Sequence, residues 1–129
     1  MNDTIGDFII RIKNAGAVKK ESILVPFSKM KLAIAEVLSA KGYVGLVSKK
    51  TKNNFKYLEV TLLYKDGAPV VTGVRRISKP SRRLYESAKN IKRFRRGYGM
   101  SVFSTPKGIM SDVDAKKENV GGEFLFNIW

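Results

Sequence analysis

The eight residues 57–64 read YLEVTLLY and contain the clearest structural pattern in the chain. Apolar and polar side chains alternate here, and this period of two is typical of a β-strand with one buried face. The side chains predicted to face the core are Leu58, Val60, Leu62 and Tyr64, with Tyr57, Glu59 and Thr61 on the other face. We therefore predict a half-buried strand at the centre of the first half of the chain.

Two helices and two further strands are predicted before this one. Apolar residues at helical spacing predict a first helix that starts at Asp3 or Thr4 and ends near Gly16, and a second between a Ser28 cap and Gly42. Strands are predicted at 23–27, where Pro26 favours an edge position, and at 43–47, followed by a turn at 53–54. The apolar helix positions are Ile5, Phe8, Ile9 and Ile12, then Met30, Ile34, Val37 and Leu38. The predicted order is α-β-α-β-β.

The second half is predicted to be mostly β with short helices. Residues 65–69, which contain Asp66-Gly67 and Pro69, are the best linker candidate. Strands are predicted at 70–77, 91–95 and 100–104, short helices near 82–88 and from the Ser111 cap, and a last strand with Phe124, Phe126 and Ile128 on one face. The fold class is therefore predicted to be α+β, with two packed small modules at residues 1–65 and 70–129.

The composition excludes several classes of chemistry. The 129 residues include no Cys and no His, which excludes thiolate nucleophiles, disulfides, imidazole catalysis and ordinary zinc sites. No apolar run approaches the ~18 residues of a membrane-spanning helix, and the first residues do not resemble a signal peptide. We expect no cofactor.

The positive charge is concentrated in one segment. The chain has 25 basic and 11 acidic residues, and residues 75–96 hold ten of the basic residues with one acid. Seven of the eight arginines lie there, and the planar guanidinium suits phosphate groups. This segment predicts a nucleic-acid partner, whereas a solubilising face or a membrane-surface role are the alternatives. Residues 97–129 carry a net charge of −1, so any contact they make with RNA does not depend on net charge.

Motifs for catalysis are weak. The chain lacks a phosphate-binding loop, and the Ser-x-x-Lys pairs at Ser28 and Ser104 lack the companion motifs of penicillin-binding enzymes. Asp112, Asp114 and Glu118 could hold a nuclease metal, but acidic residues here also suit the start of a helix. We predict that the protein is not an enzyme.

Two polar features are candidates for nucleic-acid contacts. Tyr85, inside the basic segment, could stack on a base or pack in the core. The loop 104–108 presents the hydroxyl groups of Ser104 and Thr105 with Lys107, and hydroxyl groups can recognise base edges or a ribose 2′-OH. The alternative is an ordinary turn in which the hydroxyl groups bond the local backbone.

Residues 97–129 contain a set of motif positions: Gly97, Gly99, Ser104, Thr105, Gly108, Ser111, Asp112, Ala115, Gly121, Gly122, Glu123 and Trp129. Their order and spacing closely resemble those of the S-eight family of small-subunit ribosomal proteins, of the bacterial type. The resemblance extends to residues 75–85 and to the first helix, and it is weakest across 41–70. It departs from the family pattern at Pro106, where a third Ser is usual, and at Ser81, where Gly is usual.

This resemblance implies a structural protein that binds the central domain of 16S-type ribosomal RNA and organises a helical junction during assembly. It also implies neighbouring ribosomal proteins as partners, among them the S-five protein, and a cytoplasmic location in the ribosome. A free-standing nucleic-acid-binding regulator is the alternative. Glu123 would accept a hydrogen bond from RNA or brace the 104–105 loop, and the basic segment would neutralise phosphates. The predicted RNA-binding residues are Ser104, Thr105, Lys107, Tyr85, Glu123, Arg83, Arg95, Arg96, Lys31 and Ser28.

Overall fold

A computed structural model of the chain describes residues 3–92, 94 and 98–129, which form two compact units. One unit is Thr4–Thr72, and the other joins Asp3 to Gly73–Trp129. Helices and antiparallel sheets confirm the predicted α+β class. The division into domains at 1–65 and 70–129 stays a prediction.

The unit Thr4–Thr72 begins with the predicted α-β-α-β-β order. Its elements are α1 (Thr4–Ala17), β1 (Ser22–Pro26), α2 (Lys29–Ala40), β2 (Val44–Lys52) and β3 (Phe55–Leu62). Phe8, Ile9 and Ile12 of α1 are buried, as their helical spacing predicts. The Ser28 hydroxyl accepts a hydrogen bond from the Lys31 backbone N–H at 3.1 Å, which confirms the predicted cap of α2.

The sheet of this unit has β3 at its centre, in the order β1-β3-β2. Leu58, Val60 and Leu62 are buried, as predicted. Pro26 is the last residue of an edge strand, where a missing N–H costs no ladder hydrogen bond.

The segment 65–69, which was predicted as a linker, lies within the unit Thr4–Thr72. It contributes to a two-stranded hairpin of β4 (Tyr64–Lys65) and β5 (Ala68–Pro69). Asp66 and Gly67 both have positive φ, at 52° and 80°, which is the geometry of a tight hairpin turn. The turn dipeptide therefore connects two paired strands of one unit.

The second unit is built on one antiparallel sheet. Its strands are β6 (Val74–Arg76), β7 (Tyr85–Glu86), β8 (Met100–Thr105), β9 (Gly108–Ser111) and β10 (Gly122–Ile128). Strand β10 pairs with β8 on one side and with both β6 and β7 on the other, and β9 pairs with β8. The 3₁₀ turn Ala88–Asn90 and helix α3 (Asp112–Lys117) complete the unit.

Three predicted elements differ from the structure of this unit, and one strand was not predicted. The strand predicted at 70–77 spans only 74–76, and the helix predicted near 82–88 is replaced by β7 and the start of the 3₁₀ turn. Strand β9 follows the predicted turn at 105–108 and was not predicted. Of the strand predicted at 91–95, Ile91 and Lys92 have no regular structure, Phe94 lies in a 3₁₀ turn, and positions 93 and 95 lie outside the described residues.

A β-bulge at Leu125 corrects the prediction for the last strand. Phe124 pairs with Phe103 and Phe126 pairs with Val102, so Leu125 is the extra residue. Phe103 and Val102 are neighbours on β8 and therefore project from opposite faces of the sheet. Their partners Phe124 and Phe126 consequently lie on opposite faces as well. Phe124 packs on Phe103, with ring centroids 4.7 Å apart, beside the buried cluster of Ile91, Phe103 and Ala115.

Candidate nucleic-acid interface

Three of the predicted RNA-binding residues lie in one row across three neighbouring strands. Glu123 of β10 pairs with Tyr85 of β7 on one side and with Ser104 of β8 on the other. Directly opposed residues of antiparallel strands project from the same face, with Cβ atoms about 5 Å apart. The register therefore brings an aromatic ring, a carboxylate and a hydroxyl group side by side. We call this set the Tyr85–Glu123–Ser104 row.

Tyr85 presents its ring to solvent. Its relative exposure is 67%, which is high for an aromatic residue within a strand. The alternative that Tyr85 packs in the core is therefore wrong. An exposed ring held on a sheet offers a flat surface for a base.

Glu123 has an ion-pair partner that the sequence did not indicate. Its Oε1 lies 3.5 Å from Arg83 Nη1, and the side chains are 15% and 60% exposed, respectively. The carboxylate is thus largely covered while the guanidinium remains open to solvent with further N–H donors. Arg83 is positioned by the next residue, since the Leu84 carbonyl accepts a hydrogen bond from the Phe124 N–H at 2.8 Å.

The side chain of Thr105 stabilises the turn between β8 and β9. Its hydroxyl donates to the Gly108 carbonyl at 2.8 Å and accepts from the Lys107 N–H at 3.2 Å. Only 9% of the residue is exposed. For Thr105 the structure therefore shows the alternative, a hydroxyl that bonds its own turn, and this weakens the case for direct RNA recognition by its side chain.

Ser104 and Lys107, on either side of this turn, differ in their exposure to solvent. Ser104 is half-buried in the row, whereas Lys107 is exposed at the tip next to Pro106. Lys107 Nζ lies 3.5 Å from Glu118 Oε2, and both side chains are more than half exposed. Such an exposed pair contributes little to stability, so Lys107 can exchange Glu118 for a phosphate.

The two glycines before Glu123 allow the strands to approach each other. A β-carbon at Gly122 would overlap the Ser104 carbonyl oxygen, and one at Gly121 would overlap the Glu86 carbonyl oxygen. A larger residue at either position would displace the row from its register.

A basic turn lies next to the row. Lys79 and Arg82 exchange two backbone hydrogen bonds, Lys79 N–H to Arg82 O at 2.9 Å and Arg82 N–H to Lys79 O at 3.0 Å. Buried Ser78 holds the base of this turn, because its hydroxyl accepts from the Leu84 N–H at 2.7 Å and donates to the Leu84 carbonyl at 3.2 Å. Lys79, Arg82 and Arg83 are exposed.

Arg76 has a structural role within the basic segment. Its Nε donates to Asp3 Oδ2 at 3.0 Å, and its Nη1 donates to the Leu125 carbonyl. The Arg76 side chain is only 12% exposed. The expectation that the whole segment neutralises phosphates is thus wrong for Arg76.

The remaining predicted residues are not placed in the row. Ser28 and Lys31 lie in the unit Thr4–Thr72, where Ser28 caps α2 and Lys31 Nζ donates to the Pro26 carbonyl at 3.1 Å. Arg95 and Arg96 lie outside the described residues.

The acidic residues near α3 serve the fold. Asp112 is buried and accepts hydrogen bonds from the backbone N–H groups of Val113 and Phe94, each at 2.9 Å. Ser111 accepts from the Asp114 N–H at 3.2 Å and confirms the predicted cap. Within residues 3–92, 94 and 98–129, no three acidic side chains converge as a metal site would require. None of the described helices combines the length and the apolar character needed to cross a membrane.

Comparison with known proteins gives matches over the whole chain. The family model for ribosomal protein S8 matches residues 3–129. A protein of Afipia carboxidovorans is 46% identical over 129 residues, which cover 99% of this chain and 98% of the relative. A protein of Mesorhizobium japonicum is 44% identical over 130 residues, which cover 100% and 98%. Both relatives carry the name small ribosomal subunit protein uS8.

Proposed function

The chain belongs to the ribosomal protein S8 family and is a protein of the small ribosomal subunit, and on this premise we propose that it binds the central domain of 16S-type ribosomal RNA and organises a helical junction there during assembly. Membership in the subunit makes ribosomal RNA and other ribosomal proteins its partners and the cytoplasmic ribosome its location. It is a structural component and not an enzyme.

The Tyr85–Glu123–Ser104 row is the observation that carries this proposal. It combines a stacking ring with hydrogen-bonding groups on one sheet face, next to the exposed guanidinium of Arg83. Side chains of this kind can bind a ribose 2′-OH and can stack on an unpaired base. A regular duplex displays its 2′-hydroxyls in the minor groove but offers no unstacked base, whereas a junction offers both. The row therefore favours an irregular RNA structure over a continuous helix.

Affinity and selectivity come from different residues in this proposal. Lys79, Arg82 and Arg83 contact phosphates and supply affinity for any RNA through counterion release. The row supplies discrimination between RNA structures, and Lys107 at its margin adds a phosphate contact. Thr105 acts indirectly, because its two hydrogen bonds fix the turn that follows Ser104. Ser28, Lys31, Arg95 and Arg96 remain proposed backbone contacts.

The S-five ribosomal protein is the proposed neighbour in the subunit. This proposal rests on the family resemblance alone, and co-purification of the two proteins on small-subunit RNA would test it.

The first experiment tests the RNA site on deproteinised small-subunit RNA. Hydroxyl-radical footprinting with the full chain should give protected nucleotides that flank a junction in the central domain. Protection confined to another domain, or no protection, would overturn the proposal.

The second experiment tests the division of labour. Ser104→Ala should reduce affinity for the protected RNA fragment about tenfold, equivalent to about 1.4 kcal/mol, while affinity for an unrelated hairpin stays unchanged. Ser87→Ala is the matched control, because Ser87 is exposed and its side chain makes no cap hydrogen bond. Equal losses on both RNAs would contradict selectivity through the row.

A further inference from the structure

The hairpin of β2 and β3 ends in a strongly basic ribbon outside the interface described above. Residues 49–57, which we call the lysine ribbon, contain four lysines and no acidic residue. Strand β1 pairs with β3 only from Tyr57 onward, so the tip of the ribbon extends beyond the three-stranded part of the sheet. Asn53 and Asn54 form its turn, with φ of 51° and 67°.

One face of the lysine ribbon combines two aromatic rings with two cations. Lys52 pairs directly with Phe55, and Lys50 pairs directly with Tyr57. Because residues two apart on a strand share a face, all four side chains project from the same side. Lys49 lies on the other side, where its Nζ is 5.1 Å from the centre of the Phe27 ring.

Phe55 is the unusual member of this face. It is 66% exposed at the tip of a polar turn, where its ring is not needed to fill the core. A single exposed apolar side chain is common on protein surfaces, but Phe55 shares its face with the ring of Tyr57, so the ribbon presents an aromatic pair. Lys50 Nζ lies 3.6 Å from Oε1 of Glu59, in an exposed pair in which a phosphate can replace the carboxylate.

We propose that the lysine ribbon is a second RNA-binding surface and that it binds unpaired nucleotides. Bases stack on Phe55 and Tyr57, and Lys50 and Lys52 contact the phosphates between them. This inference rests on the proposed RNA-binding function. Unpaired RNA fits better than an acidic peptide, because the rings offer flat stacking surfaces and the lysines give point charges without a groove for side chains.

The test uses the full chain carrying Tyr85→Ala. This substitution removes base stacking on Tyr85, so that the measured binding of unpaired RNA reports on the lysine ribbon. A single-stranded RNA oligonucleotide and a duplex of the same sequence are the probes. Phe55→Leu should weaken binding of the single strand at least about fivefold and leave duplex binding unchanged. Lys52→Gln should weaken binding of both. Leu46→Ala and Lys65→Gln are matched controls, since both residues are exposed in the same unit outside the ribbon.

Ultraviolet crosslinking to deproteinised small-subunit RNA gives an independent readout. Mass spectrometry should locate crosslinked nucleotides on Phe55 or Tyr57. If the chain protects the central domain but neither residue crosslinks and Phe55→Leu binds normally, the ribbon proposal is overturned and the proposed function stands. Loss of a neighbouring ribosomal protein from subunits carrying Phe55→Leu, with RNA binding intact, would also overturn it in favour of a protein contact. Absence of any protection by the unmodified chain would overturn the proposed function itself.

Discussion

Ser104 and Thr105 are adjacent in sequence, but their side chains have different environments. Ser104 lies in the row beside Glu123, whereas the Thr105 hydroxyl is used within its own turn. A sequence motif does not distinguish the two, because both residues offer a hydroxyl group. The distinction comes from strand alternation, which turns successive side chains to opposite faces.

Thr105→Val tests the structural role of this hydroxyl. The variant keeps the side-chain shape but loses the hydrogen bonds with Gly108 and Lys107. We expect the free energy of unfolding to fall by about 1–2 kcal/mol in chemical denaturation. The control Thr51→Val, at an exposed position, should change it by less than about 0.5 kcal/mol. Unchanged stability together with a loss of RNA affinity would instead assign the Thr105 hydroxyl to the RNA.

Tyr85 gives a test of stacking. Tyr85→Ala should weaken binding of the protected RNA fragment by about 1–3 kcal/mol, because an exposed base loses its stacking surface. Tyr85→Phe retains the ring and should bind nearly as well as the unmodified chain. Tyr98→Ala is the control, since Tyr98 is also highly exposed but lies outside the row. Filter binding at constant salt measures all three, and a Tyr85→Phe variant as weak as Tyr85→Ala would show that the hydroxyl group matters instead.

Strand β10 organises the second unit because it pairs with three other strands. The pairing depends on close contact at Gly122, where a β-carbon would overlap the Ser104 carbonyl. Gly122→Ala should therefore lower the free energy of unfolding by on the order of 3 kcal/mol and reduce RNA binding through displacement of the row.

Thermal denaturation with RNA titration would check the Gly122 prediction. Gly67→Ala is a useful control: Gly67 has a positive φ of 80° and open space around it, so its cost is backbone strain alone. A Gly122→Ala variant of normal stability would show that the strands can separate without loss.

Elements with a strong local pattern could be predicted from the sequence. Helix α1 and strand β3 follow the spacing of Phe8, Ile9 and Ile12 and of Leu58, Val60 and Leu62, which needs no information from distant residues. Strand β7 has only two residues, and its conformation depends on pairing with β10, which is distant in sequence. The bulge at Leu125 was equally invisible, because the alternation of Phe124, Phe126 and Ile128 looks regular without the register.

The sequence indicated which residues belong to the candidate site, but it did not indicate how they are arranged in space. Family resemblance indicated Tyr85, Ser104 and Glu123, whereas their alignment in one row is a consequence of strand register. The ion pair between Arg83 and Glu123 was missed for the same reason, since the two residues meet only after β7 pairs with β10.

The distribution of positive charge over the whole molecule determines how RNA binding depends on salt. Lys79→Gln combined with Arg82→Gln removes two exposed cations without removing the backbone hydrogen bonds of their turn. We expect the slope of log affinity against log salt concentration to become less steep by roughly 1.5 to 2, equally for the protected fragment and for an unrelated hairpin.

Lys116→Gln with Lys117→Gln is the matched control for this charge effect. This variant also removes two positive charges, but from the end of α3. Comparing the two double variants therefore distinguishes an effect of charge at the Lys79–Arg82 turn from an effect of the total charge of the protein. The same change of slope in both double variants would contradict a specific phosphate contact at the Lys79–Arg82 turn.

The position of β10 in the chain order has a consequence for biosynthesis. During translation β6, β7 and β8 emerge before the strand that joins them, so their edges stay unpaired until β10 has been made. The sheet of the unit Thr4–Thr72 is complete once β3 has been made, so this unit does not depend on β10 and can fold while the rest is still being translated. A nascent chain thus completes the Tyr85–Glu123–Ser104 row only late, and under the proposed function this delay limits premature capture of RNA by unfinished copies.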